Sequence, residues 1–252
     1  MKKIAVITAY NNEEFRLIEK ANHSVVSQSN NEFCCDHIIV VDGFDLNKNL
    51  EKIKCKKVEL NQNHNDNGNT PRSVGTNMAI SQDYDFIMYL DSDNWFMEGH
   101  VNSLYQLIKN ENKIGCSFRS FYTMEDKKLN FLEDTDCLEK KHADTSCYLI
   151  PRIFYKYINI WHLIPKQTSQ WCDRIFFNNL IRYNCPILFS EKHTVAFRTL
   201  YDTHYLDSNT ELPKNVKISL KISQKAVEYF EDENNKKNFI NLFGFSWKPE
   251  EK

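Results

Sequence analysis

Apolar residues along this chain follow two rhythms that alternate. Residues 4–8, 37–41 and 86–90 are short continuous apolar runs rich in β-formers, the pattern of strands buried on both faces, as in a parallel sheet. Between the first two runs, Ile18, Ala21 and Val25 stand at i, i+3 and i+7, one face of a helix whose first turn would hold Glu13 and Glu14. A strand, helix, strand order of this length predicts a βαβ unit with parallel strands and a right-handed crossover. Residues 56–60 read as a weaker third strand. Thr70 predicts a helix cap with Pro71 in the first position, and Val74 and Met78 an apolar helix face. Gly75 inside that helix costs up to about 1 kcal/mol, so its presence points to close packing or ligand approach. Val101, Leu104, Leu107 and Ile108 mark a further amphipathic helix.

Beyond residue 110 the pattern is less regular. Residues 115–123 and 145–150 read as strands, and 186–189 and 194–199 as two short ones. Phe176, Leu180 and Tyr183 define a helix face, and Val216, Leu220, Val227 and Phe230 another. The stretch KKNFINLFGFSW mixes basic and aromatic residues; it reads as a tail packed on its own domain, with a peripheral membrane contact as the second reading.

Composition narrows the class. The chain has 252 residues, 41% of them hydrophobic, and a net charge of −2, which suits one domain with an appendage and gives no support for nucleic acid as the partner. The N-terminal apolar run stops at Asn11, too short for a signal sequence, and reads as a strand. No window approaches the ~18 apolar residues of a membrane span. Eight cysteines without a CxxC pair predict reduced thiols and a cytoplasmic protein, not zinc or a disulfide framework.

The chemistry starts where the run 86–90 ends in Asp91-Ser92-Asp93. Open α/β sheets place their ligands at the C-terminal ends of strands. Two carboxylates this close repel unless a cation or proton lies between them. A hard divalent ion that takes its other ligands from substrate phosphate and water suits such a pair. The bland reading is a polar loop after a strand; against it, the second strand also ends in an acid, Asp42.

Four segments together resemble the GT-A-fold glycosyltransferases, in particular the large inverting family 2 of bacterial polysaccharide synthesis. IAVITAYNN is similar to that family's first strand and loop, with Ile7 where Pro is usual; HIIVVDGFD to its second strand; TPRSVGTNMAI to its Arg- and Asn-bearing helix; and DFIMYLDSDNWF to its DxD segment. The resemblance implies a GT-A-like (Rossmann-like) α/β fold with a mixed, mainly parallel sheet flanked by helices and a small helical C-terminal appendage. It implies a domain over 1–205, with a nucleotide-binding half 1–110 and an acceptor half 111–205, then an extension over 206–252. Thr8, Tyr10 and Asp42 would hold the base, Arg72 and Asn77 the sugar and phosphate, and Asp91 the donor ribose or sugar. Asp93 would bind Mn²⁺ or Mg²⁺, its shell completed by His204 or His193, with His204 preferred. Asp173 in QWCDR matches the catalytic base, although Cys172 stands where Glu is usual. The implied activity is metal-dependent hexosyl transfer from a nucleotide sugar, UDP-linked as first choice, to a glycan or lipid-linked acceptor, with inversion.

Rival readings fit less well. A haloacid-dehalogenase-like phosphatase carries its DxD on the first strand, and has Thr or Val where Trp95 stands. A nucleotidyltransferase expects a Gly-rich loop after its first strand, whereas TAYNNEE has no Gly. A non-catalytic carbohydrate-binding protein would tolerate changes at Asp93.

Overall fold

The computed structural model describes residues 1–130 and 142–247. Its strands are β1 (Lys2–Tyr10), β2 (Phe33–Val41), β3 (Lys56–Glu59), β4 (Phe86–Tyr89), β5 (Trp95–Phe96), β6 (Ile114–Tyr122), β7 (Tyr148–Pro151) and β8 (Ile187–Arg198). Its α-helices are α1 (Phe15–Val26), α2 (Asn69–Ser81), α3 (His100–Ile108), α4 (Tyr155–Ile158), α5 (Cys172–Arg182), α6 (Asp202–Asp207), α7 (Ser219–Glu231) and α8 (Glu233–Phe243). The strands form one eight-stranded sheet in the order β3-β2-β1-β4-β7-β6-β8-β5. The first four are mutually parallel; β7 runs antiparallel to β4 and β6, β8 parallel to β6, and β5 antiparallel to β8. This is the expected mixed, mainly parallel sheet with flanking helices.

Burial explains the continuous runs. Ile4, Ala5, Val6 and Ile7 of β1, and Ile87, Met88 and Tyr89 of β4, are wholly inaccessible, because helices cover both faces of a parallel sheet. In α1 the predicted face is buried through Ile18, Ala21 and Val25. In α3, Val101, Leu104 and Ile108 are buried, and Leu107 is half-buried.

Four local expectations change. Helix α2 begins at Asn69 with Gly68 as its cap residue, not Thr70. Asp66 takes the capping role instead: its Oδ2 accepts from the Thr70 amide at 2.9 Å and hydroxyl at 2.6 Å. The buried face of α2 is Pro71, Arg72, Ser73, Gly75, Thr76 and Ala79, while Val74 and Met78 are only partly buried. The short strands expected at 186–189 and 194–199 are one strand, β8, whose polar middle, Glu191 to His193, is exposed; Glu191 has φ 54, and the ladder with β6 slips nearby. The face predicted from Phe176, Leu180 and Tyr183 is also cut short: Tyr183 lies past the end of α5 and is 43% exposed.

Gly75 marks close packing. A Cβ there would meet Ile7 Cγ2 at 2.4 Å and Val40 Cγ2 at 3.3 Å. Gly75→Ala is therefore expected to destabilise the protein by about 1–3 kcal/mol, against the ~1 kcal/mol that Ala gains in helix propensity. Urea denaturation measures the difference, and an unchanged or raised midpoint would contradict this packing.

In the C-terminal region, Phe230 of α7 and Phe239 and Phe243 of α8 join the main core. Trp247 packs against Phe230, ring centroids 5.5 Å apart, and against Trp171 at 5.9 Å. The aromatic residues of KKNFINLFGFSW thus turn inward. Residues 131–141 of the expected acceptor half and 248–252 of the extension lie outside the described residues, as does Cys137. The other seven cysteines stand outside disulfides. Among the described residues, no helix is long and apolar enough to cross a membrane.

Candidate functional site

The parallel order of β2, β1 and β4 delivers three loops to one edge of the sheet: Asp42 after β2, Tyr10 to Glu13 after β1, and Asp91 to Asp93 after β4. They border a cleft of about 1350 Å³. Its far wall comes from α5, α6, the segment 142–145 and α7. Of the sequence-nominated residues, Tyr10, Asp42, Arg72, Asp91, Asp93, Asp173 and His204 line this cleft. Thr8, Asn77 and His193 are not among its walls.

Thr8 is fully buried, and its hydroxyl donates to the Leu90 carbonyl at 2.7 Å and meets His37 Nε2 at 2.8 Å. It ties β1 to β2 and to the end of β4, and it is not among the residues that line the cleft. Asn77 is exposed and accepts from Asn159 at 2.7 Å. Five residues separate it from Arg72, more than one helical turn, so the two leave α2 in different directions. His193 Nδ1 bonds the Arg119 carbonyl at 2.6 Å. His204, the preferred alternative, bonds Thr199 Oγ1 at 2.7 Å from within the cleft wall.

At the first end of the cleft, Asp42 accepts from the His64 amide at 2.9 Å, from His64 Nδ1 at 2.8 Å and from the Asn65 amide at 3.1 Å. These bonds shape the loop 63–68 that leads into α2. Gly68, at φ +77, lies so close to β1 that a Cβ would meet Ala9 Cβ at 2.5 Å. Arg72 follows one turn later. Its guanidinium donates to the Asn67 carbonyl at 2.7 Å and to Asp91 Oδ1 at 2.6 Å, with Trp161 at 5.5 Å from its Cζ.

The DSD loop is gripped from the opposite side by a residue without a sequence signal. Arg198, at the end of β8, donates its backbone amide to Asn94 Oδ1 at 2.9 Å and its guanidinium to the Asp93 carbonyl. The same guanidinium pairs with Asp126 at 2.5 Å. Burial first, and then the carboxylates of Asp91 and Glu13, push Asp93 up to about 7. Glu13 is raised too, by burial first and by Asp91 in addition. Three acids therefore crowd one stretch of wall, and the charge that Arg72 brings is already paired with Asp91.

On the far wall, Asp173 opens α5. Burial opposes its ionisation, but His142, Arg174 and Arg119 outweigh that and hold it at about 2. Its Oδ2 lies 2.7 Å from His142 Nε2, and its Oδ1 accepts from the Arg174 amide at 2.7 Å. Arg119 pairs with Asp144 at 3.3 Å, both buried. Cys172 is pushed up to about 12 by burial, with Asp173, Asp91 and Asp144 adding to the shift, so it is a neutral thiol. A Glu in its place would add one more negative charge to a wall already crowded with them.

Glu13, Arg119, His142, Asp144 and Lys217 all line the cleft, yet none carried a site signal in the sequence. Among the described residues, no three His, Cys, Asp or Glu side chains are disposed to hold a metal by themselves. The oxygen-rich, electrostatically unsatisfied wall at Asp93 does fit a hard divalent ion that takes one or two protein ligands and completes its shell from phosphate and water.

The sequence profile described as Glycosyl transferase family 2 matches residues 4–182. The structure is similar to the crystal structure of S. aureus TarS 1-349, with a TM-score of 0.58 at 15% identity, covering 96% of this chain and 79% of that one. For a crystal structure of S. aureus TarS the TM-score is 0.57 at 14% identity, covering 97% of this chain and 48% of that one. The chain thus spans about half the length of this second relative. At such identities the likeness speaks for the fold alone. No curated protein matches the chain.

Proposed function

The chain belongs to glycosyl transferase family 2 and is a glycosyltransferase, and on that premise we propose that it moves a sugar from a UDP-linked donor to a saccharide hydroxyl, with inversion and with a divalent metal at Asp93. The observation that carries this reading is the crowding of Glu13, Asp91 and Asp93 beside the end of β4. Like charges held that close are relieved by a cation, and a metal-bound diphosphate supplies one together with its own oxygen ligands. Asp93 and His204 are the proposed protein ligands of Mn²⁺ or Mg²⁺. The metal would neutralise charge growing on the departing diphosphate. Arg72, anchored on Asn67 and Asp91, holds the donor-side wall in place. Asp42 and Tyr10 border the proposed base pocket. Asp173 takes the proton of the acceptor hydroxyl as its oxygen attacks from the opposite face.

The acceptor is proposed to be a glycan or lipid-linked saccharide in bacterial surface polysaccharide synthesis at the inner face of the membrane. With the aromatic residues of the C-terminal stretch buried, a lipid contact there would rest on the exposed Ile240 and Leu242.

A panel of UDP-sugars with Mn²⁺, read by thermal shift and by UDP release, tests the reading. One donor should stabilise the chain only when metal is present, since a ligand that binds the folded state raises its stability by mass action. A phosphatase would instead release phosphate from monoesters, and a non-catalytic binder would release no UDP.

Acidity offers an independent check. Metal must displace the proton that Asp93 holds near pH 7. Apparent Mn²⁺ affinity should therefore rise about tenfold per pH unit below that value and level off above it. Titration calorimetry across this range measures it, and an affinity that does not vary with pH would move the metal away from Asp93.

A further inference from the structure

We propose that His142 is the positioning residue of the catalytic base, its Nε2–H donating to Asp173 Oδ2 so that the carboxylate stays ionised and presents a fixed plane to the acceptor. The inference rests on the reading of Asp173 as the base, and deepens it.

Geometry carries it. An ionised carboxylate only accepts, so the 2.7 Å contact requires the proton on Nε2 of the imidazole. Asp173 Oδ1 is bound to the amide of Arg174 in its own helix. With one oxygen tied to the first turn of α5 and the other to the segment before β7, the carboxylate cannot rotate about its last bond. His142 is itself 5% exposed, so water competes weakly for its proton. Both residues line the same cleft as the crowded acids of the donor side.

Other charged and titratable groups also face Asp173: Arg174 and Cys172 on its own helix, Arg119 on β6 and Tyr201 beside α6. Asp91 and Asp144 act on the neighbouring Cys172. His142 bonds the base through its side chain, beside the Arg174 backbone amide. In the step itself the acceptor oxygen bonds the anomeric carbon while its proton passes to Asp173. The bond from that carbon to the diphosphate oxygen breaks, and its electron pair leaves with the nucleotide. An Asp173 carboxyl that already carried a proton could not take that one, which is why the donated bond matters before the step.

The test uses the full chain, saturating Mn²⁺ and the UDP-sugar that it hydrolyses fastest, with UDP release as the readout. His142→Ala is expected to lower kcat by about 10- to 100-fold, the usual effect of losing an orienting partner, with the donor-induced thermal shift unchanged. Its kcat should also fall on acidification over a range where the parent's does not, because the Asp173 carboxylate loses a stabilising donor. His142→Gln, whose Nε2 amide reaches the same place, should recover most of the rate. A parental rate in His142→Ala would overturn the proposal. So would a loss without the new acid limb, or a loss that a well-folded His142→Gln fails to recover. If Asp173→Asn retains turnover, the base reading fails instead, whatever His142 does.

Discussion

Replacing Asp173 by asparagine is expected to cut sugar transfer by about 10²- to 10⁴-fold, the worth of general-base help, while donor and metal still bind. Asparagine keeps the shape of the side chain, and a neutral imidazole can reverse its role and accept from the new amide. The Mn²⁺-dependent donor shift should therefore persist. Stability supplies a second, signed readout. The folded carboxylate sits at about 2, below its ordinary 3.8, so its contribution is present at neutral pH and is lost as pH falls through that interval. Asp173→Asn lacks the contribution at every pH. Urea midpoints of parent and variant should differ at pH 7 and converge on acidification. Retained turnover in the variant would place the base elsewhere on the cleft wall.

Asp93→Ala has a comparable effect by a different route. Without that carboxylate the donor-induced, Mn²⁺-dependent thermal shift should vanish, and UDP release with it. A ligand at 100 times its Kd contributes about 2.7 kcal/mol of stability, so its loss is readily measured. The metal-free variant should melt no lower than the parent, because Asp93 is crowded by Asp91 and Glu13 and its removal relieves like-charge repulsion. That combination separates a lost ligand from a damaged fold. A persistent metal-dependent shift would disprove the assignment of Asp93. A lowered melting temperature without metal would contradict the charge crowding on which the site rests.

Much of the donor side was legible in the chain itself. The runs at 4–8, 37–41 and 86–90 are strands because each is buried on both faces, and a strand of that kind writes its environment into consecutive residues. Asp42 and Asp91 to Asp93 follow those runs directly. Once the strands are parallel, the loops that follow them must open on the same edge. The helical faces of α1 and α3 were equally plain, since a 3.6-residue period reports one-sided burial.

Where the environment changed within an element, the pattern misled. β8 crosses from core to solvent and back, so its polar middle read as a break. Thr8 is buried between β2 and the end of β4, off the cleft wall, and Asn77 leaves α2 in a different direction from Arg72. The pairings of the far wall were invisible for a related reason. His142 lies 31 residues before Asp173, Arg119 25 before Asp144, and Arg198 105 after Asp93. Local periodicity records how deeply a residue is buried, and acids ending a strand record which edge they reach. Which histidine meets which carboxylate across the cleft follows only when the sheet has brought its distant segments together, because hydrogen bonds and ion pairs act over ångströms in space and leave no period in the chain.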